Sequence, residues 1–338
     1  MKIYKNHKQN FLICSFLLII IFNSSLFAQD TSSVSQKEND LSILKANKLL
    51  PIKNNFRFIP SDVIPDPFIT TYFKSSVGAG AALDLKSYVK DLNGNVIDTL
   101  SGRLSYISGD LQFQYAFSDW LAINGSYGGA GRLGNNTYTI LTSGISYAAG
   151  FTLGGKVRIW ENKEMILSGS IEYKSSDVFL YSIYDFVKKV VEAGSIDAIS
   201  QGKLLEKDKI NSLFLNLNYA FAPTDWCGLL AIAGWGSANT FNTKTRGNNR
   251  FGLAASIDLD NVKYIGIPIG VLVSAKYNKF SESGENASNT IILGLRIGYT
   301  GHKDFDIGIE NTYQSLNYRM SDVKINTILT ALKIRYFF

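Results

Sequence analysis

The last eleven residues, Ile328 to Phe338, constrain this chain more than any other stretch. Taken in steps of two, Ile328, Thr330, Leu332, Ile334, Tyr336 and Phe338 form a mostly apolar, aromatic-ended face. Lys333 and Arg335 stand on the other face beside Leu329, Ala331 and Phe337. A period of two marks a β-strand, because successive side chains point to opposite sides of a sheet. Taken alone, the pattern also fits an amphipathic edge strand of an ordinary sheet.

The pattern recurs. From about residue 74 the chain parses into twelve alternating segments. Their apolar faces include Val77–Leu85, Ile107–Phe117, Leu121–Tyr127, Phe151–Ile159, Leu167–Tyr173, Leu213–Phe221, Phe251–Leu259, Ile265–Val273, Ile291–Tyr299 and Phe305–Tyr313. The segment Trp226–Ser237 is apolar in both phases, so its register is ambiguous. The connections alternate in length. Tight turns are expected at Phe117–Trp120, Glu161–Glu164, Ala222–Asp225, Asp260–Lys263 and Gly301–Asp304. Longer polar connections are expected near 87–103, 132–143, 177–209, 239–248, 279–288 and 316–324. Tyr115-Ala-Phe-Ser-Asp-Trp120 has an echo in Tyr219-Ala-Phe-Ala-Pro-Thr-Asp-Trp226, each joining a strand-end aromatic to a polar turn and a Trp.

An even strand number, short turns alternating with long loops, and an aromatic final strand resemble the bacterial outer-membrane β-barrels, the porin-like and transporter-like proteins as a group. No narrower family is singled out. The resemblance implies an all-β, transmembrane, antiparallel up-and-down barrel of twelve strands over residues 68–338. Lipid would surround it, with short turns in the periplasm and long loops outside. It also implies that Phe338 and Tyr336 form an assembly signal read by the outer-membrane barrel assembly machinery. The repeated turn aromatics would form a girdle at the headgroup level.

The other end of the chain fits export. Lys2, Lys5 and Lys8 precede an apolar run from Phe11 to Phe22, and small residues follow around Ala28. Residues 1–28 therefore read as a cleaved secretory signal peptide, too short for a membrane helix. Residues 29–67 are polar, then rich in proline at 51, 60, 65 and 67. They read as a periplasmic segment or as a plug inside the barrel, since Phe56, Phe58, Ile59, Val63 and Ile64 give them something to bury. Residues 181–209 carry Ile183, Phe186, Val187, Val190 and Val191 at helical spacing, which predicts a helical insert in an extracellular loop.

Composition narrows the function. Without residues 1–28 the chain has 31 basic and 28 acidic residues, too even a balance to suggest nucleic acid. One cysteine, Cys227, and one histidine, His302 in an expected turn, then remain. No catalytic residues, metal or cofactor are expected, because His302 lies in a short turn on the wrong side for a Ser–His pair, and one Cys and one His are too few for a zinc site. The polar faces carry eight basic and six acidic side chains. Asp84, Asp110, Lys156, Arg158, Glu172, Lys276, Arg296, Glu310, Lys333 and Arg335 are taken as lumen-lining. Charge is costly toward lipid and natural toward a wet interior. The spacing predicts Lys156 and Arg158 facing Glu172, Arg296 facing Asp306 and Glu310, and Lys333 and Arg335 meeting Asp84 where the barrel closes. The expected function is passive passage of a small solute through this lumen. The alternative is a structural or adhesion barrel acting through its loops.

Overall fold

The computed structural model describes residues 50–90, 96–134, 145–181, 205–239, 245–281, 289–318 and 323–338. A small hairpin comes first, β1 (Ile52–Lys53) and β2 (Phe56–Arg57). Twelve long strands follow: β3 (Tyr72–Lys90), β4 (Val96–Ala116), β5 (Leu121–Gly134), β6 (Ile145–Glu161), β7 (Met165–Tyr181) and β8 (Leu205–Phe221), then β9 (Cys227–Asn239), β10 (Thr245–Asp258), β11 (Ile269–Ser281), β12 (Asn289–Tyr299), β13 (Phe305–Tyr318) and β14 (Val323–Phe337). Each pairs antiparallel with its sequence neighbour. β14 closes on β3, with Leu332 opposite Val77 and Phe337 opposite Tyr72, so all twelve strands form a closed barrel. Closure removes every unpaired strand edge, which is what lets a sheet stand in lipid.

The outward phase is the one that the alternation predicts. Val77, Ile107, Leu153, Leu215, Leu253, Val273, Ile297, Ile309 and Leu332 are all exposed on the outer wall. At the short-turn end Tyr115, Phe117, Trp120, Trp160, Trp226, Tyr299 and Tyr336 ring this surface. Tyr173, Trp235 and Tyr277 face outward again, each eight residues beyond the first residue of its strand. Eight steps along a tilted strand span about 20–25 Å, the height of an apolar belt between two aromatic girdles.

The structure corrects several boundaries. Strands need roughly 9–11 residues to cross a bilayer, yet β3 has 19 and β4 has 21. Parts of the expected loops 87–103 and 177–209 are therefore paired strand. Of the expected helical insert, Tyr181 and Leu205–Lys209 are strand, no helix occurs among the described residues, and 182–204 lie outside them. The expected tight turn at Asp260–Lys263 is longer. β11 starts only at Ile269, and residues 259–268 form an irregular connection with Tyr264 and Gly266 at positive φ. Ile265 and Ile267 thus alternate without pairing and lie exposed in that connection.

The lumen contains the inner segment, residues 50–71. Asn54 and Asn55 both have positive φ, which makes a two-residue primed turn between β1 and β2. The turn is tied to the short-turn end of the barrel. Asn54 N donates to Lys163 O at 3.0 Å, and its side-chain amide donates to Ala222 O at 3.2 Å. Arg57 donates to the Thr300 and Phe305 carbonyls at 3.1 and 3.0 Å. Beyond it, Phe56, Phe58, Ile59, Val63, Ile64 and Phe68 pack with Ile166, Leu230, Ile232, Ala254 and Leu272 from the barrel wall. Burial of each large side chain contributes about 1.5–3 kcal/mol. This cluster explains the ambiguous phase of β9. Leu229 and Trp235 face out, while Leu230 and Ile232 are buried against the inner segment, so both faces of that strand are apolar.

Candidate solute cavity in the barrel lumen

The inner segment divides the lumen into two unlike halves. Against β9–β12 the fit is apolar and close, and glycines make room for it. A Cβ on Gly228 would strike the Phe56 and Phe58 rings, and one on Gly270 would strike Ile59. One on Gly294 would lie 2.9 Å from Val63 Cγ2, and one on Gly252 would strike Ile64. Four neighbouring strands thus each give up a side chain where an apolar side chain of the inner segment sits.

Against the other strands the inner segment presents acid. Asp62 pairs with Lys74 of β3 and Lys333 of β14. Asp66 pairs with Arg335 of β14 at 2.9 Å and Lys156 of β6 at 3.5 Å. Arg335 also lies over the Tyr72 ring, 4.3 Å from its centre. Ser61 donates to Glu310 at 2.8 Å, and Glu310 holds Lys333 as well. Gln114 donates to the Phe68 and Thr70 carbonyls at 3.0 and 2.9 Å, fixing the return of the chain into β3. Burial alone would push both aspartates up. The facing cations, Lys74 and Lys333 for Asp62 and Lys156 and Arg335 for Asp66, instead hold the two carboxyls below the usual carboxylate range.

Those shifts give a sign for pH. A depressed folded pKa stabilises the docked segment above the ordinary carboxylate value, about 4. The contribution is lost only as pH falls through the depressed values. Docking is therefore expected to be constant from neutral pH down to about pH 5 and to weaken only in strong acid. Limited proteolysis of the inner segment across a pH series, with an acid-stable protease, checks this. Loss of protection already at pH 6 would contradict it.

Over the acidic side of the segment lies a polar cavity of about 370 Å³. Ser61, Asp62, Pro65 and Asp66 form its floor. Strands β3–β8 supply most of its wall, with Arg250, Lys276 and Arg335 from β10, β11 and β14. Arg250 pairs with Glu172 at 2.6 Å, donates to Asn216 Oδ1 at 2.6 Å and lies over the Phe214 ring at 4.2 Å.

Of the residues expected to line the lumen, Asp110, Lys156, Glu172, Lys276 and Arg335 border this cavity. Arg296, Glu310 and Lys333 are buried below it. Arg296 faces both acids as expected, opposite Glu310 in register and paired with Asp306 at 2.5 Å, while Glu310 forms its ion pair with Lys333. Arg158 does not face the cavity. It pairs with Asp119, at 2.6 Å, and Glu161 at the short-turn rim. The expected pairing of Lys156 and Arg158 with Glu172 is replaced by Lys156–Asp66 and Arg250–Glu172. The expected meeting of Asp84 with Lys333 and Arg335 is excluded by register. Lys333 lies opposite Ser76 and Arg335 opposite Lys74, whereas Leu83, beside Asp84, lies opposite Asn326 far up β14. The side chain of Asp84 lies outside the described residues. Tyr336 and Phe338 face outward at the short-turn end, their rings 4.9 Å apart.

Sequence reasoning missed Asp62, Asp66, Lys74 and Arg250. The two aspartates sat in a stretch without strand period. Lys74 and Arg250 stand in the inward phase of their strands, but each falls just before the first residue counted on the apolar face.

Closed twelve-strand topology, an apolar outer wall between aromatic rings and a charged interior now stand together. The fold is that of an outer-membrane β-barrel. Solved structures with this fold include an outer-membrane channel from Pseudomonas putida F1, at a TM-score of 0.50 and 10% identity over 83% of this chain and 100% of that one. The β-domain of the Bordetella autotransporter BrkA gives 0.47 and 12%, over 80% and 100% of the two chains. The translocator domain of the Neisseria meningitidis autotransporter NalP gives 0.46 and 9%, over 80% and 88%. No protein-family model and no curated protein matches this chain. At these identities the outer-membrane barrel architecture is shared and nothing narrower.

Proposed function

We propose that this protein is an outer-membrane channel or transporter for passive passage of a small solute, with residues 50–71 as a plug in the periplasmic half of the lumen. The supporting observation is the divided lumen: one half filled by a fitted apolar segment, the other left as a polar, charge-lined cavity. A barrel serving only as a wall has no need of a lumen half that is kept polar and unfilled. In this reading residues 1–28 are removed on export, the inner segment enters from the periplasm, and Tyr336 and Phe338 face the assembly machinery. No enzymatic role is proposed.

Single-channel recording in a planar bilayer tests the reading. The intact protein is expected to conduct weakly, because the plug narrows the path. Deletion of residues 50–67 is expected to give a steady and much larger conductance. The deleted barrel must still show heat-modifiable gel migration. A folded deletion variant with no conductance would exclude a plugged channel and leave a structural barrel.

A further inference from the structure

We propose that the cavity is a binding site for a small organic anion bearing hydroxyl groups, and that Lys174 and Lys276 hold its carboxylate. This rests on the channel reading for its purpose but not for its chemistry.

The cavity wall and floor carry six cations, Lys74, Lys156, Lys174, Arg250, Lys276 and Arg335. Four acids face them, and each is already engaged. Asp62 and Asp110 lie at Lys74, Asp66 at Lys156 and Arg335, and Glu172 at Arg250. Among the described residues no carboxylate lies within ion-pair distance of Lys174 or Lys276, although both border the cavity. An ammonium group facing a narrow, partly desolvated space raises the local concentration of anions. A carboxylate at either lysine would make charge-assisted hydrogen bonds, the stronger kind.

A second observation concerns acceptors. Asn218 is fully buried and Gln114 nearly so, and both border the cavity together with Asn124. The side-chain carbonyl oxygens of all three have no hydrogen-bond partner. The amide nitrogen of Gln114 is used on the Phe68 and Thr70 carbonyls, which can only accept, so its carbonyl oxygen is the end left over. Buried acceptors left unpaired are costly, so the wall favours a ligand that brings donors. Hydroxyl groups do so, and the carboxylate of the same molecule satisfies the lysines. A neutral polyol meets only the acceptors and a simple fatty acid only the lysines. The cavity volume of about 370 Å³ lies in the range of small-molecule sites.

The test is calorimetric titration of the full-length protein in detergent at low salt with gluconate, sorbitol and hexanoate. Gluconate is expected to bind, and sorbitol and hexanoate each to bind about tenfold or more weakly. The double variant Lys174→Gln/Lys276→Gln is expected to lose about tenfold in gluconate affinity, and Lys174→Arg/Lys276→Arg to retain it. Heat-modifiable migration of each variant separates lost binding from lost folding. Absence of gluconate binding, equal affinity for sorbitol, or unchanged affinity in the glutamine variant would each overturn the site. Conductance decides the channel separately. Binding without conductance would leave the site and remove the channel, and conductance without binding would do the reverse.

Discussion

Replacing Gly228 and Gly252 together with valine is expected to expel the inner segment and leave a folded, open barrel. A Cβ on Gly228 would occupy space held by Phe56 and Phe58, and one on Gly252 would strike Ile64 and lie 3.0 Å from the Ala275 carbonyl and 3.2 Å from Ile232 Cγ2 of the wall. Overpacking of this kind costs about 1–3 kcal/mol per site. Here the barrel can avoid most of the cost by releasing the segment, because valine suits a strand and the tightest contact at each site is with the segment and not with the wall. The release forfeits the apolar burial of the segment, so single replacements are expected to give partial opening and the pair nearly complete opening. Conductance should rise from the intact level toward that of the 50–67 deletion, and Phe56 and Phe58 should become accessible to proteases. Gly131→Val is the matched control, since a Cβ there meets nothing within 4 Å. An unchanged conductance in a folded Gly228→Val/Gly252→Val protein would show that the inner segment does not block the path.

The barrel was legible because each wall residue obeys one local rule. Outward positions meet lipid and inward ones meet water or charge, so a period of two carried through Leu213, Leu215 and Leu217 is enough to place Asn216 and Asn218 inside. The rule failed wherever the lumen was not wet. Leu230, Ile232 and Leu272 are apolar on the inner face because an apolar segment fills that half. In β9 the presence of Leu230 and Ile232 read as an ambiguous phase. Ion pairs were less legible than strands. Neighbouring wall charges were matched to one another, but Lys156 and Arg335 take their acid from Asp66, and Lys333 adds Asp62 to its wall partner Glu310; no strand period could place the two aspartates. The connection after β10 misled for another reason. Ile265 and Ile267 keep the alternation without a partner strand, and pairing is not encoded in a two-residue period.

The strand phases themselves make the second large prediction. Leu215→Arg and Leu295→Arg put a cation on the outer wall, where both leucines are now exposed between the aromatic rings. Near the middle of a bilayer this is expected to destabilise the barrel by about 2–4 kcal/mol each. The inward comparison must be chosen with the interior in view. Asn216, next to Leu215, is buried, accepts from Arg250 at 2.6 Å and donates to Ser170 at 3.1 Å. An arginine there would crowd Arg250, so Asn216→Arg is also expected to destabilise despite its inward phase. Thr152 is the better probe, since it borders the polar cavity while its neighbour Leu153 is exposed to lipid. Thr152→Arg is expected to cost less than the lipid-facing changes even though it stands opposite Lys174, because the guanidinium stays hydrated and lies in a space that holds Glu172. Urea titration of folding into lipid vesicles, read by tryptophan fluorescence, measures these four variants and Leu153→Arg. Equal destabilisation by Leu153→Arg and Thr152→Arg would mean that the two faces of β6 meet the same environment, and the lipid-facing wall and wet cavity would have to be abandoned together.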